Sequence, residues 1–323
     1  MSILIRASKN VLFKAIAEIF SRIIYLFFFI YMARILGASD FGLFSFAFSL
    51  AGIFSILVEP GLNTLLMRDV SKDRSLSRKY SDNIISVKLL LSLAAFSLLF
   101  IYVKLIGYDD RTVSTVLFMG VFLILNCLLD FFVALANAYE RMDIEAVIRV
   151  SNKLIVSLIG ALALFLGSGL NGLLSSIIVG SFAAVLLAFI LMQQVITTIR
   201  TAFEWQFIVS LLSKAAPMAL TMIFYIVYFK IDIVMLSLYH ISDAEIGYYS
   251  ASVKLIEILN VIPAIIVGGL FPIMAGLYDT SKTELLSLFS KIYKILILMA
   301  IPIVVITAFL SPEIIRVLYG EGY

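Results

Sequence analysis

Lys14, Glu18 and Arg22 recur at four-residue spacing within an otherwise apolar run near the start of the chain. At 3.6 residues per turn that spacing places all three on one face of a helix. Other charges interrupt apolar runs in the same way. Glu59 stands beside Pro60, Lys88 is alone, Asp130 follows Asn126, Lys230 is two residues from Asp232, and Lys254 is three from Glu257. Two kinds of chemistry are open to such groups. Cations hold anions, and arginine does so with a planar fork that suits phosphate oxygens. Carboxylates among apolar groups can exchange a proton or neutralise a cation. Arg22, Lys14, Lys230 and Lys254 are therefore candidate substrate-binding residues. Glu18, Glu59, Asp130, Asp232 and Glu257 are candidate coupling groups or structural ion-pair partners. The structural role fits Glu18–Arg22 and Lys254–Glu257 well, and Lys14 and Lys88 could snorkel toward a surface. Glu59–Pro60–Gly61 reads first as a kink, because proline removes a helical hydrogen bond.

The elements that must carry these charges follow from composition. Of 323 residues, 63% are hydrophobic and only 14% charged, and the mean hydropathy is +1.11. A soluble domain is nearer half apolar and a quarter charged, so one aqueous core cannot absorb this much apolar surface. The chain is expected to be an all-α polytopic membrane protein. One cysteine, Cys127, excludes a disulfide scaffold, and continuous apolar runs exclude a membrane β-barrel. About nine spans are expected, at roughly 12–34, 42–66, 84–104, 113–137, 150–168, 172–193, 215–238, 248–276 and 292–311. Each is long enough to cross about 30 Å of hydrocarbon at about 1.5 Å per residue. Arg22 lies near the middle of the first, at a depth of roughly 16 Å. The first run is too long and too charged to be a cleavable signal peptide.

Lysine and arginine set the expected orientation. With the N-terminus inside, the inner segments hold sixteen of them and the outer segments four, Arg34, Lys104, Arg111 and Arg316. That bias predicts a cytoplasmic N-terminus, with "MRDVSKDRSLSRKY" (67–80) as the main inner loop and topology anchor. The outer loops are short, which argues against a membrane-bound polymerase or ligase with an external catalytic domain. No phosphate-binding loop is present, and the one histidine, His240, reads as an interfacial polar residue. No catalytic residue, metal site, cofactor or nucleic-acid partner is expected.

Punctuation between spans repeats. "GASDFG" (37–42) reads as a tight turn, with Gly37 ending one helix and Ser39 or Asp40 capping the next. Ser-Asp recurs at 242–243, Gly42 matches Gly247, and Ser8–Lys9 matches Ser213–Lys214. Six spans separate the copies, and an even number preserves orientation. The expected architecture is therefore two parallel-related helical bundles, 1–206 with six spans and 207–323 with about three, related by an axis along the membrane normal. The second bundle is expected to be incomplete.

"MARILGASDFGLFSFAFSLAGIFSILVEPGLNTLLMRDVSKD" (32–73) resembles the start of the O-antigen and polysaccharide flippases (Wzx type) of the multidrug/oligosaccharidyl-lipid/polysaccharide exporter superfamily. The resemblance rests on Ala33, Arg34, Leu36, Gly37, Phe41 and Gly42, then on Gly61, Leu62, Leu66 and Arg68. It extends to "KIDIVMLSLY...IGYYSASVKL" (230–255) and "SPEIIRVLYGEGY" (311–323). It implies a transporter rather than an enzyme. The implied task is moving polyprenyl-diphosphate-linked oligosaccharide units across a bacterial cytoplasmic membrane by alternating access, for O-antigen, capsule or exopolysaccharide assembly. The candidate cations would hold the diphosphate-linked headgroup while the tail stays in lipid, and Tyr225 and Tyr228 could line a sugar path. Coupling to a proton or sodium gradient, contact with membrane lipids, and polymerase or chain-length partners follow from the same resemblance. Such flippases carry twelve to fourteen spans, so a chain of about nine looks truncated. A small-molecule or drug cation antiporter of the same superfamily is the alternative. It would need Asp130 or Asp232 and could dispense with the cations.

Overall fold

A computed structural model describes the backbone of residues 3–193 and 200–323. Side chains are described for 20–193 and 200–323, apart from 261–262, 264–265, 268–269, 271–272 and 279. Among the described residues every regular element is a helix. In order these are α1 (Ile3–Ser55), α2 (Leu62–Lys72), α3 (Ser77–Ile106), α4 (Asp110–Ala138), α5 (Met142–Phe165), α6 (Gly169–Met192), α7 (Trp205–Leu238), α8 (Asp243–Leu259), α9 (Val261–Thr280) and α10 (Lys282–Tyr319).

Seven helical segments are long and apolar enough to cross a membrane among the described residues. Eight of the nine expected spans lie on these seven segments, the first two sharing α1, while the eighth falls on α8 and α9, which meet at Asn260. A straight helix of 53 residues would be about 80 Å long, far more than one bilayer core. It bends at Gly37, whose φ of 73° and ψ of 170° suit glycine alone. The expected break at Gly37 is therefore present without a connecting loop, and Asp40 accepts from Arg111 of α4 at 2.5 Å.

The second expected span stops early. After Ser55 the backbone turns over 56–61, Pro60 bars continuation, and Gly61 at φ 84° starts α2. The expected 67–80 loop is thus mostly helical, with a single 3₁₀ turn at Arg74–Leu76 between α2 and α3. Elsewhere local chemistry places the ends. Asp109 caps α4 by accepting from the Arg111 and Thr112 amides at 3.1 and 3.3 Å. Ser242 and Glu245 form a reciprocal capping box at the start of α8.

The chain forms two compact units, Met1–Gly247 and Tyr248–Tyr323. In the first, Leu62, Leu65, Leu66 and Val70 of α2 pack on Phe131–Ala136 and Ala138 of α4, with Ile208, Leu211 and Ala215 of α7 in the same core. Outward faces stay apolar, as at Leu89, Leu93, Phe165 and Phe189, which suits lipid rather than water. In the second unit the Tyr319 hydroxyl donates to the Ala251 carbonyl at 3.1 Å, and the Tyr319 and Tyr323 rings lie tilted to one another, 5.3 Å between centroids.

Candidate functional site

The break after Ser55 builds the first part of the site. Pro60 ends the helix, which leaves the first amides of α2 without intrahelical acceptors. Glu59 supplies one, its Oε1 accepting from the Asn63 amide at 2.8 Å. Its Oε2 pairs with the Lys88 ammonium of α3. Lys88 is fully buried and also donates to the Cys127 carbonyl of α4 at 3.2 Å. The snorkelling expectation for Lys88 is therefore corrected. A charge with no access to water requires a partner, and the kink carries Glu59 to it. The kink expectation at Glu59–Pro60–Gly61 holds, and the same kink aims the carboxylate.

From Cys127 the polar groups continue along α4 and α5. Asn152 donates to the Asn126 carbonyl oxygen at 3.3 Å, and Asn126 donates to the Phe122 carbonyl at 2.9 Å. One turn from Asn126, Asp130 faces Arg149 of α5 at 4.0 Å. Arg149 also donates to the buried Glu145 at 3.0 Å. Another turn along, the Lys153 ammonium lies 4.3 Å from the centre of the Tyr25 ring on α1, a favourable cation–π distance. Tyr25 is three residues beyond Arg22 and so belongs to its side of α1. Helices α1, α3, α4 and α5 thus contribute to one polar seam, buried at Lys88, Glu145 and Asn152 and half-exposed at Asp130 and Arg149.

The expected site residues distribute unevenly over this seam. Glu59 and Asp130 lie in it, and Arg22 borders it through Tyr25. Lys14 and Glu18 lie outside the described side chains. Lys230 of α7 sits over Phe48 of α1, 5.2 Å from the ring centre, and the Asp232 carboxylate accepts from the Ile233 amide at 2.8 Å. Lys254 pairs with Glu257 at 2.9 Å within the second unit. Tyr225 and Tyr228 are exposed. Sequence reasoning missed Glu145 and Arg149 because the fifth span was expected to begin at 150 while α5 begins at Met142, and it missed Lys153, inside that span, because the ring it meets is on α1. The signal was present. Glu145, Arg149 and Lys153 follow one another at four-residue spacing, as Lys14, Glu18 and Arg22 do.

A separate polar cluster sits where α2, α3 and the segment before α7 meet. The Tyr80 hydroxyl donates to Asp69 at 2.8 Å, and Arg68 donates to the same carboxylate at 2.7 Å. The Arg68 guanidinium, with Tyr80 adding to it, holds the Asp69 carboxyl below the usual carboxylate range. The buried Asp82 and Asn83 accept from the Arg200 and Glu204 amides at 2.7 and 2.8 Å. Among the described residues no group of three or more His, Cys, Asp or Glu is placed to hold a metal ion.

Comparison with known proteins bears on this arrangement at two levels. The sequence model of the family described as polysaccharide biosynthesis protein matches residues 7–278. Among solved structures, one described as the inward-facing conformation of a multidrug resistance MATE family transporter of the MOP superfamily superposes with a TM-score of 0.62. The two are 14% identical, over 93% of this chain and 72% of that one. At that identity the likeness establishes the fold. No curated protein sequence matches the chain.

Proposed function

Because the chain belongs to the polysaccharide biosynthesis protein family, we propose that it is a flippase for a polyprenyl-diphosphate-linked oligosaccharide. It would act in a bacterial cytoplasmic membrane with its N-terminus inside, in O-antigen, capsule or exopolysaccharide assembly. The observation that carries this reading is the polar seam of α1, α3, α4 and α5. Such groups are costly inside a membrane and usually mark a path for polar cargo or ions. Arg22, Arg149 and Lys153 are the proposed contacts for the diphosphate. The forked guanidinium of Arg149 already faces two carboxylates and could exchange them for phosphate oxygens. Glu59, Lys88 and Asp130 are the proposed coupling groups, since a carboxylate facing a buried ammonium can change charge when cargo or a proton arrives. Lys14, Lys230 and Lys254 remain proposed substrate contacts, and Glu18, Asp232 and Glu257 their ion-pair partners. The two repeats are proposed to divide near residue 207.

The test is genetic. The gene is deleted in its host and replaced with wild type, Arg22→Ala or Arg149→Ala. The reading expects surface polysaccharide to vanish on deletion, with the lipid-linked unit accumulating in the inner leaflet. It also expects both variants to fail in restoring export at normal protein levels. Unchanged polysaccharide with heightened drug sensitivity would overturn it in favour of antiport.

A further inference from the structure

The two copies of the repeated turn meet in the fold. Gly42 stands one turn past the bend in α1, and Gly247 stands one turn into α8, both within the first unit. A Cβ on Gly42 would run into the Asp243 carbonyl oxygen and lie 2.7 Å from the Gly247 nitrogen. A Cβ on Gly247 would run into the Ala38 carbonyl oxygen and lie 3.2 Å from the Ala38 Cα. Ala38 is four residues before Gly42, and Asp243 is four before Gly247. Each copy therefore sets its glycine against the residue one turn before the other's glycine. A two-fold axis between the copies generates a reciprocal contact of this kind.

The contact is specific to this point. A Cβ on Gly52, further along α1, would meet nothing within 4 Å. Ala38-x-x-x-Gly42 has the small-residue spacing that lets two membrane helices touch along their backbones. Phe41 and Ile246, each next to its glycine, are fully buried. The neighbouring turns join in. Tyr108 and Ser237 meet through their hydroxyls at 3.2 Å, and Arg111 reaches Asp40.

We propose that this glycine crossing is the closing contact of the transporter at the end carrying the 107–109 and 239–242 turns, and that α1 must part from the first turn of α8 for that end to open. The inference rests on the transport reading above. The chemistry suits a contact that opens and closes repeatedly. Backbone packed on backbone gains many short-range attractions that fade within an ångström of separation, so the crossing is either made or lost. Among the described residues, the contacts at the crossing itself are backbone against backbone. Symmetry also lets both copies part together as the repeats rock.

The first test uses a purified chain carrying Cys127→Ala, which removes the single cysteine, and Ile246→Cys as reporter. The buried thiol should react slowly with a maleimide. Gly42→Leu or Gly247→Leu should speed it by about tenfold, equivalent to shifting the closing equilibrium by about 1.4 kcal/mol. Gly52→Leu should leave it slow. A Leu66→Cys reporter in the same backgrounds should stay protected. Unchanged protection at Ile246→Cys, or equal loss at both reporters, overturns the proposal. The second test wedges nothing. Ala38→Cys with Asp243→Cys is oxidised in membranes, and disulfide formation is counted by the loss of free thiols after denaturation. Export should stop on oxidation and return with reductant. Export that continues with the disulfide formed also overturns the crossing as a gate. Labelling requires no cargo, so a failed export phenotype on gene deletion removes the flippase reading and leaves the crossing to be judged by labelling.

Discussion

Lys88 keeps its charge out of water because Glu59 meets it, and the pair is coupled to the start of α2 through Asn63. Breaking one side should be worse than removing both. Glu59→Gln leaves a buried ammonium without its carboxylate and should lower stability by about 3–5 kcal/mol. Glu59→Gln combined with Lys88→Met should recover most of that loss. Thermal unfolding of the purified variants measures it, and a double variant no better than the single would refute the pairing as a stability requirement. Arg149 tests the seam at the same scale. Lysine keeps the charge but not the fork, so Arg149→Lys should lose most export while retaining normal protein levels. Full export with Arg149→Lys would show that only charge matters there.

At the scale of elements, the first turn of α8 is where local chemistry and packing meet. Its capping box, Ser242 with Glu245, should be worth about 1 kcal/mol, so Glu245→Ala is expected to loosen the turn and speed labelling of the Ile246→Cys reporter. Asp243, in the same turn, gives the crossing a dependence on pH. Burial pushes its carboxyl above the ordinary aspartate range, Asp109 and Asp40 add to the rise, and Arg111 opposes it. The packed turn thus holds this proton more tightly than a solvent-exposed aspartate would. The crossing is favoured fully below the ordinary aspartate value and loses that contribution as pH climbs through the raised one. Labelling of Ile246→Cys, normalised to the denatured thiol at each pH, should accelerate across that window. Asp243→Asn should flatten the response, and an identical profile in the two chains would discount Asp243 as its source. The kinks at Gly37 and Pro60 act through the same logic, since each ends a helix where another element must enter.

At the scale of the first unit, the segment entering α7 is held as firmly as the helices are. Asp82 and Asn83 accept two of its amides, Lys79 pairs with Glu204 at 2.7 Å, and Tyr80 packs edge-on to Phe207. The start of α7 then joins the α2–α4 core through Ile208, Leu211 and Ala215. Asp82→Ala with Asn83→Ala should free this segment and make the bond after Arg200 a fast tryptic site, while the helices stay folded. An unchanged digestion pattern would mean that the core alone holds the segment. The same attachment makes the beginning of α7 move with the first unit, leaving Pro217 as the break in its regular hydrogen bonding.

Composition and periodicity determined the class of this protein. A chain this apolar can only be solvated by lipid, and in lipid the backbone must close its own hydrogen bonds, so long helices follow. Turn signals also showed: Gly37, Pro60–Gly61 and the Ser242 turn all mark ends or bends. The partners were not. Helical spacing shows which charges share a face, but the register between helices decides which faces meet, and side-chain packing sets that register. Lys88 read as a snorkelling cation until the Pro60 kink delivered Glu59 to it. Arg149 lay outside the expected fifth span until α5 proved to begin at Met142. Gly42 and Gly247 read as turn punctuation, and only the tertiary structure placed them against one another, because a backbone-to-backbone contact is made by the side chains that are absent.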